Sequence, residues 1–319
     1  MKLKKSTLFY YSLAEMPINI ALFPILVFIP KFYTGEMGVS LALAANIILV
    51  VRIFDVFTDP IVGYINDRTN TRFGKRRPWI VTATPLLMIS IYMLFIPPEG
   101  AGAFHLFSWM FLLSIATTML IIPYYAWGAE LSSDYNERSR ITGWRSISGV
   151  VGSLSAQLIP TIALIFFGLG GSANVLYIVG VASIIIMPLC IFLTVTKVSE
   201  TINYAQSNTS PIKGLKIMLE NSPFKRLIMA FMFGGIAFSI TIPLYLFFIT
   251  YVLKAEEMAI YMLTFFYITN IFAVPFWVWL SKKIGKHKAY ICSFGLIAIA
   301  HPFYLLLGEG DFWWMLPIT

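Results

Sequence analysis

The run RIFDVFTDPIVGYINDRTNTRFGKRRPW, residues 52–79, sets three charges, Arg52, Asp55 and Asp59, inside an otherwise apolar span and follows them at once with a basic turn containing Gly74. Spaced i, i+3 and i+7, the three side chains fall on one stripe of a helix. One charge at mid-bilayer costs roughly 2.5–3.5 kcal/mol on insertion scales, so three together require partners or a bound ion and are expected to face inward. Two readings stay open. Either an Arg52 to Asp59 pair simply ties helices together, or the surplus of carboxylate charge binds a small monovalent cation or a proton.

Composition agrees with a membrane setting. The 319 residues are 58% hydrophobic and 12% charged, with a mean hydropathy of +0.79, whereas about a quarter of an ordinary soluble domain is charged. At ~20 apolar residues per span there is room for about nine or ten crossings. The net charge of +8 would suit nucleic acid, but its placement argues against that partner. All Lys and Arg except Lys31, Arg52, Arg145 and Lys254 fall in alternate loops, which predicts a cytoplasmic N-terminus. The first apolar run continues past residue 30 without a small-residue cleavage site and reads as a retained helix.

Spans are expected at about 8–33, 41–66, 79–96, 105–131, 141–167 and 174–195, then at about 224–253, 259–280 and 289–307, with a tenth begun. The chain therefore divides into an N-terminal bundle (1–196), a polar linker (197–222) and a partial second bundle (223–319). Within the linker, PIKGLKIMLEN reads as a short amphipathic helix on the membrane surface. The stretch VWLSKKIGKHKAYI, residues 278–291, echoes the basic glycine turn after the second span, as expected of transporters built from repeats.

Several polar residues accompany the carboxylates. Glu15 and Asn19 share a face of the proline-rich first span, and Glu15 either looks into the bundle or is solvated near the cytoplasmic interface. The fourth span carries Thr117, Thr118, Tyr124 and Tyr125 as cavity lining or packing. In the fifth, Gly149, Gly152, Ser153 and Ala156 permit a close helix approach, and Arg145 either snorkels or reaches the carboxylates of the second span. Loop 132–140 is expected to form ion pairs. Cys190 and Cys292 read as free thiols, and no metal site or cofactor is expected. His105, His287 and His301 stand apart from any metal or nucleophile pattern, so an enzyme is not expected.

Six spans, a linker and a second set opening on the same loop pattern resemble the major facilitator superfamily. More narrowly, DVFTDPIVGYINDRTNTRFGKRRPWI and IPYYAWGAELSSDYNER resemble the glycoside-pentoside-hexuronide cation symporters, the group that includes the melibiose carriers. The resemblance implies an all-α polytopic fold with a complete six-helix N-terminal bundle and an incomplete second bundle, since the family has twelve helices. It implies a coupling site for Na+ or H+ at Asp55 and Asp59, helped by Thr118 and counted here with Thr58. Asn19, Tyr125, Arg145 and Glu15 form the expected solute-facing set, with Asn19 where the family's sugar ligand is acidic and Ile121 where melibiose carriers have a third carboxylate. The implied function is cation- or proton-coupled symport of a sugar or related small solute by a monomer in the cell membrane. A lysolipid carrier and a non-transporting sensor are the alternatives. As a chain of this length, it is not expected to transport alone.

Overall fold

The computed structural model describes residues 2–168, 172–200, 211–255 and 259–315, which are helical with no strand among them. The chain forms two compact units, Met1–Tyr204 with Asn270–Val278, and Ala205–Thr269 with Trp279–Thr319.

In the first unit the expected opening span is three helices, α1 (Lys5–Ser12), α2 (Glu15–Val27) and α3 (Ile29–Gly35). The breaks follow from proline chemistry. Pro17 lacks the N–H that would bond the Leu13 carbonyl, its ring crowds that carbonyl, and the helix turns at Leu13–Ala14. Pro30 acts in the same way near the second break at Phe28.

Next come α4 (Leu41–Arg68), α5 (Arg77–Phe95), α6 (Ala103–Glu130), α7 (Tyr135–Phe167) and α8 (Ser172–Lys197). Ser40 caps α4, its hydroxyl accepting from the Leu43 N–H. Within the unit α4 and α5 both pack on α6, while α2 lies against α7 and α8. The buried face of α4 is a narrow stripe, Ala44, Ile47, Val51, Val62 and Asn66, whose 3.6-residue period passes through Asp55, Thr58 and Asp59. Its other faces expose Leu41, Leu49, Val56, Phe57 and Ile61, as a helix bordered by lipid does. Among the described residues, six helical segments of this unit have the length and hydropathy to cross a membrane, and a seventh, Lys286–Leu306, belongs to the second unit.

α7 starts at Tyr135, earlier than the sequence suggests, because Asp134 caps it: both the Asn136 and Glu137 N–H groups donate to Asp134 Oδ1 at 2.8 Å. The Glu137 amide, with the Asn136 amide, holds this exposed carboxyl below the usual carboxylate range. The ion pairs expected in loop 132–140 are represented by Arg140 and Glu137 at 2.7 Å.

The turn from α4 to α5 is tied at several points. Gly74 takes a positive φ of 112°, and Glu200, just after α8, closes on the start of α5, accepting from the Lys75 and Arg76 N–H groups at 2.7 Å each. Arg76 is 4% exposed and joins Asp67 (2.8 Å), Glu130 (2.6 Å) and the Asn66 amide oxygen.

The second unit includes α9 (Pro211–Glu220), α10 (Ser222–Phe247) running into a π-turn (Phe248–Val252), the flanking parts of α11 (Ala259–Ile284), α12 (Lys286–Ala300) with a 3₁₀ turn (His301–Leu306), and α13 (Phe312–Met315). The short linker helix is present as α9; residues 201–210 of the expected linker lie outside the described residues. Gly285, between α11 and α12, has φ +89°. Both basic turns thus use a glycine in a conformation that L side chains avoid, which is the local content of the sequence echo.

Candidate functional site

Asp55 and Asp59 meet α6 through a regular ladder. The Thr118 hydroxyl donates to Asp59 Oδ1 at 2.7 Å, and the Ser114 hydroxyl donates to Asp55 Oδ1. Farther along, Gly63 faces Ile122. Three contacts recur every four residues in both helices at one constant offset, the signature of two helices side by side and running in the same direction. Asp55 Oδ2 also accepts from Arg52 Nη1 at 3.2 Å. Arg52 therefore neutralises Asp55, not Asp59 as one sequence reading had it, and Asp59 stays exposed. The hydroxyls of Thr58 and Thr117 are buried and have no hydrogen-bond partner.

The carboxylates of Asp55 and Asp59 and the hydroxyls of Ser114 and Thr118 are oxygen donors of the kind hard cations take, with Arg52 as the cationic neighbour of Asp55. Ser114 was missed from sequence. The available signal was that Ser114 and Thr118 repeat the spacing of Asp55 and Asp59.

The solute-facing candidates assemble separately, around Glu15. Tyr125 OH donates to Glu15 Oε1 at 3.0 Å, Arg145 Nε stands 3.8 Å from Glu15 Oε2, and the Arg145 guanidinium lies over the Tyr125 ring at 3.8 Å. Asn19 Nδ2 donates to the Glu15 backbone carbonyl at 2.9 Å, so the amide braces α2 while lying beside the carboxylate that the other two engage. Glu15 is buried, which decides between the two sequence readings in favour of the bundle interior. Arg145 likewise takes neither expected course, pairing with Glu15 in place of the α4 carboxylates. Ile121 packs against the apolar core.

Glycines set this geometry. A β-carbon on Gly149 would lie 3.1 Å from Asn19 Nδ2 and 3.2 Å from Glu15 Cγ, and one on Gly152 would meet the Met16 carbonyl. The small-residue stripe of α7 lets α2 come close enough for Glu15 to meet Arg145.

Below the pair, Tyr11 and Tyr124 stack with centroids 4.7 Å apart. Each hydroxyl donates to the other residue's backbone carbonyl, at 2.9 Å and 2.8 Å. The Tyr11 carbonyl lies in the last turn of α1 and has no intrahelical donor; Tyr124 supplies one.

Residues 10–319 match the family model described as MFS/sugar transport protein. The chain is 28% identical to the isoprimeverose transporter of Lactiplantibacillus pentosus over 91% of this chain and 62% of that protein. It is 27% identical to the sodium-dependent lysophosphatidylcholine symporter 1 of Mus musculus, over 88% and 59%. It is 23% identical to an inner membrane symporter of Escherichia coli K12, over 89% and 62%. The chain thus spans about three-fifths of the length of the curated relatives it matches.

Proposed function

This chain belongs to the MFS/sugar transport protein family, and from that membership we propose that the protein is a multi-pass secondary transporter coupling Na+ or H+ to a sugar or related small organic solute. The observation that carries the proposal is the ladder of Asp55 and Asp59 on α6, bonded by Ser114 and Thr118. Carboxylates inside a membrane bundle mark ion pathways. Asp59, which pairs with no Lys or Arg among the described residues, is the stronger cation ligand of the two; Asp55 shares its charge with Arg52. Thr58 and Thr118 supply neutral oxygens. Glu15, Asn19, Tyr125 and Arg145 form the solute-facing wall, where an aromatic face and two opposite charges suit a polyhydroxylated ring.

A lysolipid is the second reading, favoured by a relative named as a lysophosphatidylcholine symporter that is as similar as the sugar-transporting one. On either reading the charge of the basic loops supports a cytoplasmic N-terminus for a protein of the cell membrane, which works as a monomer.

The test is uptake by the intact protein in proteoliposomes, with isoprimeverose and lysophosphatidylcholine as probes under sodium or proton gradients. Asp59→Asn is expected to lower gradient-stimulated uptake about tenfold or more, the equivalent of ~1.4 kcal/mol of lost ion binding. Full stimulation in both Asp59→Asn and Asp55→Asn would refute the ion assignment. Preference for lysophosphatidylcholine over the sugar would favour the second reading.

A further inference from the structure

Glu15 is a buried carboxylate on a different helix from the cation-site pair, and its two oxygens are treated unequally. The residue is 9% exposed. Oε1 accepts the Tyr125 hydroxyl at 3.0 Å, while Oε2 is buried with no hydrogen bond at all. Arg145 Nε, 3.8 Å from Oε2, lies beyond hydrogen-bonding range, and the guanidinium carbon stands over the Tyr125 ring at 3.8 Å. The carboxylate therefore has Coulomb attraction from one side and no donor on its second oxygen. An ionised group so placed is poorly compensated for the water it has lost.

Protonation needs no rearrangement here. A proton on Oε2 turns it into a hydroxyl and leaves Oε1 as the carbonyl oxygen, which still accepts from Tyr125. We propose that Glu15 is a proton-binding site distinct from the Asp55 and Asp59 cation site, taking up H+ from water at Oε2. Uptake cancels the Glu15 charge and leaves Arg145 as an unpaired cation stacked on Tyr125. The solute-facing wall thereby changes from neutral to a single positive charge. The groups that act on Glu15 are Arg145 from α7, Tyr125 from α6, the Asn19 amide from its own helix and, across the stacked pair, Tyr11 from α1 and Tyr124 from α6. Among these Arg145 is the charged partner, so the site titrates against one fixed cation. The proposal goes beyond the symport reading and does not depend on it, since a proton on Glu15 can be observed with neither sodium nor solute present.

The experiment is infrared difference spectroscopy of the purified protein during a pH titration, read in the carbonyl-stretch region of protonated carboxylic acids, with H+ as the ligand. The wild type is expected to show a titrating band that is lost in Glu15→Gln, returns at a shifted position in Glu15→Asp, and survives in the Asp55→Asn, Asp59→Asn double variant. Tyr125→Phe, which removes the hydrogen bond to Oε1, is expected to shift the band. A Glu15→Gln spectrum that superimposes on the wild type overturns the proposal. Should Glu15→Gln not fold, a band unmoved by Tyr125→Phe overturns it equally. Transport that fails to depend on Asp59 while the Glu15 band persists would count against the symport reading and leave this one standing.

Discussion

Arg76→Met should cost the protein about 2–3 kcal/mol, and a double-mutant cycle with Glu130→Gln should show the two residues to be coupled. Arg76 presents a fork to Glu130, Nη2 to Oε1 at 2.6 Å and Nε to Oε2 at 3.4 Å, and reaches Asp67 at 2.8 Å through Nη1. Removing one partner of a fully buried pair costs roughly 3–5 kcal/mol. Here the Arg76 side chain is 5% exposed, but Glu130 is 36% and Asp67 64% exposed. Both carboxylates can rehydrate when the arginine goes, so the loss falls to the ~1.5–3 kcal/mol of hydrogen bonds to charged groups. Methionine keeps the apolar stem and isolates that term. Burial by itself would lower the Arg76 pKa; bonds to Glu130 and Asp67 outweigh it and hold the value above its ordinary range, so the arginine stays charged at any working pH. Followed as thermal unfolding in detergent, the shift is a melting temperature lower by roughly 4–8 °C. A coupling of about 1–2 kcal/mol between the sites is expected. A melting temperature unchanged within about 1 °C, or single effects that add to within ~0.3 kcal/mol, would refute the view that this fork fastens the α4–α5 turn to α6.

Two further tests address neighbouring features. Gly152→Ala places a methyl against the Met16 carbonyl, backbone that cannot swing aside, and should destabilise by ~1–3 kcal/mol in the same assay; a neutral result would mean that α2 does not depend on close approach to α7. The Asp134 carboxyl is held low by the N–H groups it accepts from, so its stabilising effect is present above the ordinary carboxylate pKa and disappears as the pH falls through its depressed folded-state value. Wild-type stability should therefore fall with acid in that window more steeply than that of Asp134→Ala, and parallel melting-temperature profiles for the two would contradict this.

Much of this architecture was legible because bilayer chemistry leaves few choices. An apolar span with Asp55 and Asp59 on one stripe has to turn that stripe toward other protein, and α4 does so toward α6. Prolines such as Pro17 and Pro30 in a span point to kinks but not to full breaks, since whether a kinked helix separates depends on what packs beside it. Register between helices is a tertiary property, so Ser114 stayed hidden until the ladder was seen. Arg145 was misjudged for a similar reason. Its partner follows from how closely α2 approaches α7, a distance set by Gly149 and Gly152 together, and no local pattern reports it. The early start of α7 was visible in principle, because Asp134 stands at the N-cap position where aspartate accepts from the first turn.

The reciprocal bonds of Tyr11 and Tyr124 bear on how the first unit could move. The ring of Tyr11 sits where a β-carbon on Gly128 would come within 2.7 Å of Cζ, so α1 is seated directly on the backbone of α6 as well as bonded to it. On one side of the Leu13–Ala14 turn, then, the chain is bolted down; on the other, α2 carries Glu15 along the glycine track of α7. A rocking of α2 would pivot at that turn with α1 as its fixed bearing, and the displacement would be read first by the 3.8 Å gap between Glu15 and Arg145.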